Sequence, residues 1–239
     1  MSQGPKVKGV ADVVFLVDVT GSMQPCIDGL RANIAAFVQR CRQPDENGGV
    51  PIRDLRISVC GFRDYAHSQK VPTDPWFEQG PFEVVGDSVA PLQAALAKLQ
   101  ARGGGDEPES LLDALFKVAS FGESSLQDAP DAMKWRPGVR RVVVAFTDAT
   151  FHATISAEEG RGGDYTSVGQ VFTGSKLKLI VYAPRHECYD NLGAICGSVI
   201  EFYTDDIKSA QRDLQAFTSN QESFRKTLEM LAKTVTVEA

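Results

Sequence analysis

Two short apolar runs, each leading to an aspartate, set the tightest limit on how this chain folds. Residues 12–17 (Asp-Val-Val-Phe-Leu-Val) lead into Asp18, and Arg140 to Phe146, with Val142, Val143, Val144 and Ala145, lead to Asp148. Apolar runs this short and this continuous suit strands buried on both faces, as in a parallel sheet. After the first run, Ile27, Leu30, Ile34, Phe37 and Val38 recur at helical spacing and predict an amphipathic helix over 24–41. A second strand is expected at 54–62, a short edge strand at 81–85, and further strands at 177–182 and 198–203. Helices are expected at 88–101, at about 108–121 with Pro108 in the first turn, and at 207–234 with an interruption near Ser219-Asn220. The glycine-rich stretch 157–174 is expected to be the most mobile. Strands alternating with helices imply an α/β fold: a doubly wound, mostly parallel central sheet flanked by helices, with a short antiparallel edge strand. Ligands of such folds sit outside the carboxyl ends of the strands, where strand order reverses.

With 239 residues, 43% of them hydrophobic, the chain can bury one substantial core. A single domain over 10–239, closed by the last helix, is expected after a flexible tail at 1–9. The net charge is −6 and no Lys/Arg-rich run is present, which argues against a nucleic-acid partner. No apolar stretch nears the ~20 residues of a membrane span, and the polar start lacks the apolar middle of a secretory signal. Five cysteines is an odd count, and Cys26 and Cys41 fall on one helix, too far apart along it to bridge. A reducing, cytoplasmic setting is therefore expected.

Three loops carry the chemistry: Asp18-Val19-Thr20-Gly21-Ser22-Met23, Gly103-Gly104-Gly105-Asp106-Glu107-Pro108-Glu109, and Phe146-Thr147-Asp148-Ala149. A hard cation such as Mg²⁺ takes six oxygens and keeps several waters, a need that hydroxyls and carboxylates from separate loops can meet. In a turn leaving a strand, Asp18, Thr20 and Ser22 can face one ion, with Gly21 letting the backbone bend between the two hydroxyl residues. The alternative for Thr20 or Ser22 is a helix cap. Asp106 and Glu109 could instead form a capping box at the helix start near Pro108.

The sequence Asp18-Val19-Thr20-Gly21-Ser22 resembles the metal-ion-dependent adhesion motif, Asp-x-Ser/Thr-x-Ser, of von Willebrand factor A domains. Phe62-Arg63-Asp64-Tyr65, the glycine loop through Asp106, Pro108 and Glu109, and Thr147-Asp148-Ala149 are similar to a branch of that family found beside alpha-kinases and in bacterial proteins. The resemblance spans roughly residues 10–205. It implies that Thr20 and Ser22 bind Mg²⁺ (with Mn²⁺ or Ca²⁺ as alternatives) through their hydroxyls, while Asp18 and Asp148 act mainly through water. The family's middle-loop threonine is replaced here by Asp106, a third carboxylate that would tighten the cation and weaken its pull on an acidic partner. The implied function is a non-catalytic adaptor that holds a protein partner at the metal edge, in the kind of multi-component signalling or defence system such bacterial domains serve.

Two other functions compete. One is a structural subunit whose metal merely locks the loops. The other is a haloacid-dehalogenase-like phosphatase with Asp18 as nucleophile, although Thr20 stands where that chemistry needs an acid. Elsewhere, Asp64 is expected to pair with Arg63, Glu107 and Glu109 to be solvated acids at a helix start, and His67 and His152 to make hydrogen bonds on the rim. His186, Cys188 and Cys196 lack zinc-type spacing. Trp76 and Trp135 are expected to be packing residues.

Overall fold

Each apolar run becomes a strand. The computed structural model describes residues 9–43, 51–104, 107–123, 132–195 and 198–236; the expected flexible tail thus lies almost wholly outside the described residues. The strands are β1 (Val10–Asp18), β2 (Asp54–Phe62), β3 (Phe77–Gln79), β4 (Glu83–Val84), β5 (Arg140–Phe146), β6 (Leu177–Pro184) and β7 (Ser198–Thr204). The helices are α1 (Gln24–Cys41), α2 (Tyr65–Lys70), α3 (Ala90–Lys98), α4 (Leu111–Ala119), α5 (Tyr165–Gly174), α6 (Cys188–Gly193), α7 (Ala210–Ser219) and α8 (Gln221–Thr236). They build one seven-stranded sheet in the order β3-β2-β1-β5-β6-β7, with β4 also pairing with β2. The pairs along β2-β1-β5-β6-β7 are parallel, and β3 and β4 run antiparallel to β2.

Period-two alternation along β1 and β5 feeds two cores. Val13, Phe15, Val17, Val142, Val144 and Phe146 face the layer of α1, α3, α7 and α8. Val14, Leu16, Val143 and Ala145 face the layer of α4, α5 and α6. This is the doubly wound arrangement. From β1 the chain moves outward to β2, then returns past β1 to β5 and continues the other way. The reversal places a crevice between the carboxyl ends of β1 and β5, where Val17 pairs with Phe146. Asp18 therefore stands beside Thr147 and Asp148.

The chain departs from the sequence expectation at several elements. Pro108 lies outside helix α4, which starts at Leu111. Glu109 is drawn instead into a parallel bridge with Phe151, donating to Thr150 O at 2.9 Å while its own carbonyl accepts from His152 N at 3.0 Å. The capping-box reading therefore fails for Glu109. The glycine-rich stretch expected to be mobile contains helix α5, started by a capping box in which Asp164 accepts from the amides of Thr166 and Ser167. Strand β3 and the single-turn-scale helices α2 and α6 carry too few residues for a periodic signal. The closing helix, by contrast, breaks where expected: α7 and α8 meet at Asn220.

Candidate metal centre

Asp18, the last residue of β1, is fully buried. Its Oδ1 accepts from the amide of Thr20 at 2.9 Å and from the Thr20 hydroxyl at 2.7 Å, and its Oδ2 accepts from the Thr147 hydroxyl at 2.8 Å. Neither Thr20 nor Met23 caps the following helix with its side chain, so the helix-cap alternative fails for Thr20. Because Thr20 donates its proton to Asp18, its oxygen lone pairs are left for a cation. Asp148, two residues past β5, is buried, and the neighbouring Ser22 hydroxyl partly offsets the rise in its pKa that burial causes.

Backbone bonds sew the three loops together. Arg102 N donates to Val19 O at 3.0 Å, Gly21 N to Gly103 O at 3.1 Å, and Glu109 N to Thr150 O at 2.9 Å. Gly103 and Gly104 have φ of +66° and +74°, a region that glycine enters without strain. At Gly104 a Cβ would lie 2.8 Å from Thr20 Cβ and 3.3 Å from Glu109 Oε1, so the glycine lets the loop lie directly on both side chains. Residues Asp18, Thr20, Ser22 and Asp148 are thus brought together. Asp106 lies outside the described residues.

Glu109 is the site residue that sequence reasoning missed. Expected as a solvated acid, it is only 4% exposed and faces the same cleft. Its one sequence signal is an acid directly after Pro108 in a glycine loop; the bridge to Phe151 that turns it inward is a long-range pairing. Asp64 does not pair with Arg63 either. It caps α2 by accepting from His67 N at 2.7 Å, and its Oδ1 lies 3.2 Å from the Ser110 hydroxyl and 3.0 Å from His152 Nε2. Arg63 pairs with Glu78 instead, at 2.6 Å. His152 makes the expected rim hydrogen bond, and Trp135 is fully buried as a packing residue, its Nε1 donating to Val118 O at 2.9 Å.

The electrostatics are those of anions crowded without a counter-charge. Burial is the leading cause that pushes all three carboxyls up: Asp18 to about 7, Glu109 to about 9, and Asp148 in the same direction. Asp148 adds to the shift at Asp18, and Asp18, Asp64 and Asp148 add to it at Glu109. Among the described residues, Glu109 Oε2 and Asp148 Oδ2 are buried and find no hydrogen-bond partner. A divalent cation fits this donor set, since it would supply the partner that the two orphaned oxygens lack. Among the described residues no three His, Cys, Asp or Glu side chains close into a metal cluster by themselves. Any such site here therefore draws on the hydroxyls of Thr20 and Ser22 as well. The group opens onto a cleft of about 540 Å³ whose far side includes Ile207, Lys208 and Gln211.

No protein-family model matches the chain. It is 25% identical over 220 residues to the alpha-protein kinase vwkA of Dictyostelium discoideum, a match covering 89% of this chain and 31% of that protein. Among solved structures, proximal thread matrix protein 1 from the mussel byssus aligns with a TM-score of 0.50 at 13% identity, covering 91% of this chain and 47% of its own. The open conformation of the pilus adhesin SpaC from Lactobacillus rhamnosus GG aligns with a TM-score of 0.48 at 14% identity, covering 95% of this chain and 31% of its own. The chain therefore spans about a third of the kinase and less than half of the mussel protein, and the likeness to the mussel protein concerns the fold alone.

Proposed function

We propose that this chain is a binding module of the von Willebrand factor A type, which holds a protein partner at a Mg²⁺-bearing edge and catalyses no reaction itself. The observation that carries this reading is the pair of buried, unpartnered carboxylate oxygens, Asp148 Oδ2 and Glu109 Oε2, facing an open cleft beside the Thr20 and Ser22 hydroxyls. In this reading Thr20, Ser22, Asp148 and Glu109 hold the ion, and Asp18 orients Thr20. The bound cation would supply a Lewis-acidic position for an oxygen of the partner. Asp18 is fully buried with both oxygens engaged, which supports an orienting role over that of a phosphoryl-transfer nucleophile. The setting is a multi-component intracellular signalling assembly, in keeping with the similarity to part of an alpha-protein kinase.

Charge narrows the partner. In this reading Asp18, Asp148 and Glu109 against one Mg²⁺ leave the site formally at −1, so a neutral oxygen is favoured over a carboxylate as the partner's donor. The same excess favours a second reading, in which the ion only locks the loops. One experiment separates the two. Wild type and Asp18→Ala are titrated with Mg²⁺ by calorimetry, and partner capture is compared in Mg²⁺ and in EDTA. The adaptor reading expects Asp18→Ala to stay folded while losing Mg²⁺ binding and capture together. Capture that survives EDTA on a folded chain leaves only the structural lock. Absence of Mg²⁺ and Mn²⁺ binding to wild type removes both.

A further inference from the structure

The Phe62-Arg63-Asp64-Tyr65 segment contains a buried charge that the proposed metal centre does not itself use. Arg63 is 0% exposed at the carboxyl end of β2, and its guanidinium is occupied on every side. Nε donates to Arg102 O at 3.1 Å, Nη2 to Gln100 O at 3.0 Å, and Nη1 to Pro75 O at 2.9 Å and to Glu78 Oε1 at 2.6 Å. Two of these acceptors flank Ala101, whose amide donates to Gln24 Oε1 at 3.2 Å. The held segment runs directly into Gly103 and Gly104, the residues that lie on Thr20 and Glu109. Arg102 and Gly103 are also the residues through which this loop bonds to Val19 and Gly21.

We infer that Arg63 is a positioning residue for the metal centre, acting through residues 100–104 to hold the glycine loop against Thr20 and Glu109. This deepens the reading of the cleft as a cation site and rests on it. The chemistry of the side chain supports the assignment. Serving three carbonyls and a carboxylate from one point in a dry interior takes several N–H donors spread in a fixed plane, which a guanidinium has. A lysine ammonium offers three donors at a single point and cannot span carbonyls on both sides of Ala101. The carboxylate partner, Glu78, is part exposed and belongs to β3 and not to the loop, so the ion pair and the loop clamp can be cut separately.

The test is a Mn²⁺ titration of the full chain followed by electron paramagnetic resonance, in wild type, Arg63→Lys and Glu78→Gln, each well below its own Tm. Arg63→Lys, folded by circular dichroism, is expected to bind Mn²⁺ about 10- to 100-fold more weakly, the range seen when groups supporting metal ligands are removed. Glu78→Gln is expected to lose thermal stability yet keep wild-type affinity, which a purely structural role for Arg63 would not predict. Wild-type affinity in folded Arg63→Lys overturns the inference. Hydrogen exchange supplies a readout that needs no metal. In EDTA-treated wild type, the amides of Arg102 and Gly21 are expected to be protected like those of β2, and to lose that protection selectively in Arg63→Lys. Fast exchange at both amides in wild type, beside a protected β2, also overturns it, whether or not the variant folds. If wild type binds no Mn²⁺, the metal reading falls, and the exchange data decide the role of Arg63 alone.

Discussion

Strand β1 carries a buried carboxylate near each end, and the protein treats the two in opposite ways. Near its start, Asp12 accepts from Arg56 Nε at 3.0 Å and Nη2 at 2.6 Å, and from Arg136 N and Nε at 2.8 Å each. Arg136 continues to Asp54 at 2.7 Å, and Arg56 lies over the Phe82 ring at 4.8 Å. At its end, Asp18 has hydroxyls and one amide as partners, with Asp148 as a like-charged neighbour. The first end is an anion closed by resident guanidinium groups. The second is a set of anions stabilised by dipoles, with two oxygens left over. A buried charge with its own counter-ion belongs to the architecture, whereas buried carboxyls without one are driven toward the protonated form, and it is on these that the proposed cation site rests.

The largest effect should come from cutting the closed end. Asp12→Ala leaves two buried guanidinium groups short of their anion and is expected to cost about 3–5 kcal/mol, measured by urea unfolding. Asp18→Ala should show the reverse, removing a desolvated anion and leaving metal-free stability equal or higher while abolishing Mn²⁺ binding. Comparable losses of stability in both variants would break the contrast between the two ends.

Next in size is the response to the ion. Mg²⁺ at a hundred times its Kd should stabilise wild type by about 2.7 kcal/mol. For a chain of this length that raises Tm by about 5–10 °C in differential scanning calorimetry. Asp18→Ala should show no shift, and Asp12→Ala, where it folds, the full shift.

How far this contrast could be read from sequence differs between the two ends. The parallel strands β1, β2, β5, β6 and β7 lie within two residues of their expected bounds; β1 and β5, buried on both faces, are marked by near-continuous apolar runs. Asp18 and Asp148 stood out because each follows such a run. The neighbouring hydroxyls of Thr20 and Ser22 fell into place through local spacing. Glu109 did not, because its inward turn depends on pairing with Phe151, 42 positions away in the chain, and no local pattern encodes that. Arg63 was read as a partner of Asp64 for the same reason: its real acceptors lie at positions 75, 78, 100 and 102. The helix α5 was obscured by Gly169 and Gly174, although Asp164 and Ser167 stand at capping-box spacing.

The pH dependence of metal-free protein follows in magnitude. A carboxyl whose folded pKa is raised binds more protons folded than unfolded between the two values, so stability falls as pH rises through that interval. For Asp18 the interval ends at about 7 and for Glu109 at about 9. EDTA-treated wild type should therefore melt several degrees lower at pH 8 than at pH 5. Saturating Mg²⁺ should flatten or invert the slope, since the ion stabilises the ionised forms. A metal-free Tm that rises from pH 5 to pH 8 would mean that the open end is not a store of uncompensated charge.

The smallest expected change in stability sharpens the comparison most, because it concerns the carboxylate that distinguishes a receptor for a neutral oxygen from one for an acid. Glu109→Gln keeps the shape of the side chain and its approach to Gly104 but removes a charge whose Oε2 has no hydrogen-bond partner. Without metal, the variant should gain stability relative to wild type as pH rises from 5 to 8, because the wild-type fold keeps Glu109 protonated over that range while the unfolded chain ionises it. With metal, Mn²⁺ affinity should fall at least about tenfold. The formal charge of the Mg²⁺-loaded site rises from −1 to 0, so the retained ion should take acetate, a minimal carboxylate, more readily than in wild type. Weaker metal binding together with stronger acetate binding would fix Glu109 as the residue that sets both terms. If both fall together, its part is to shape the cleft, and the charge at the open end is governed by Asp18 and Asp148.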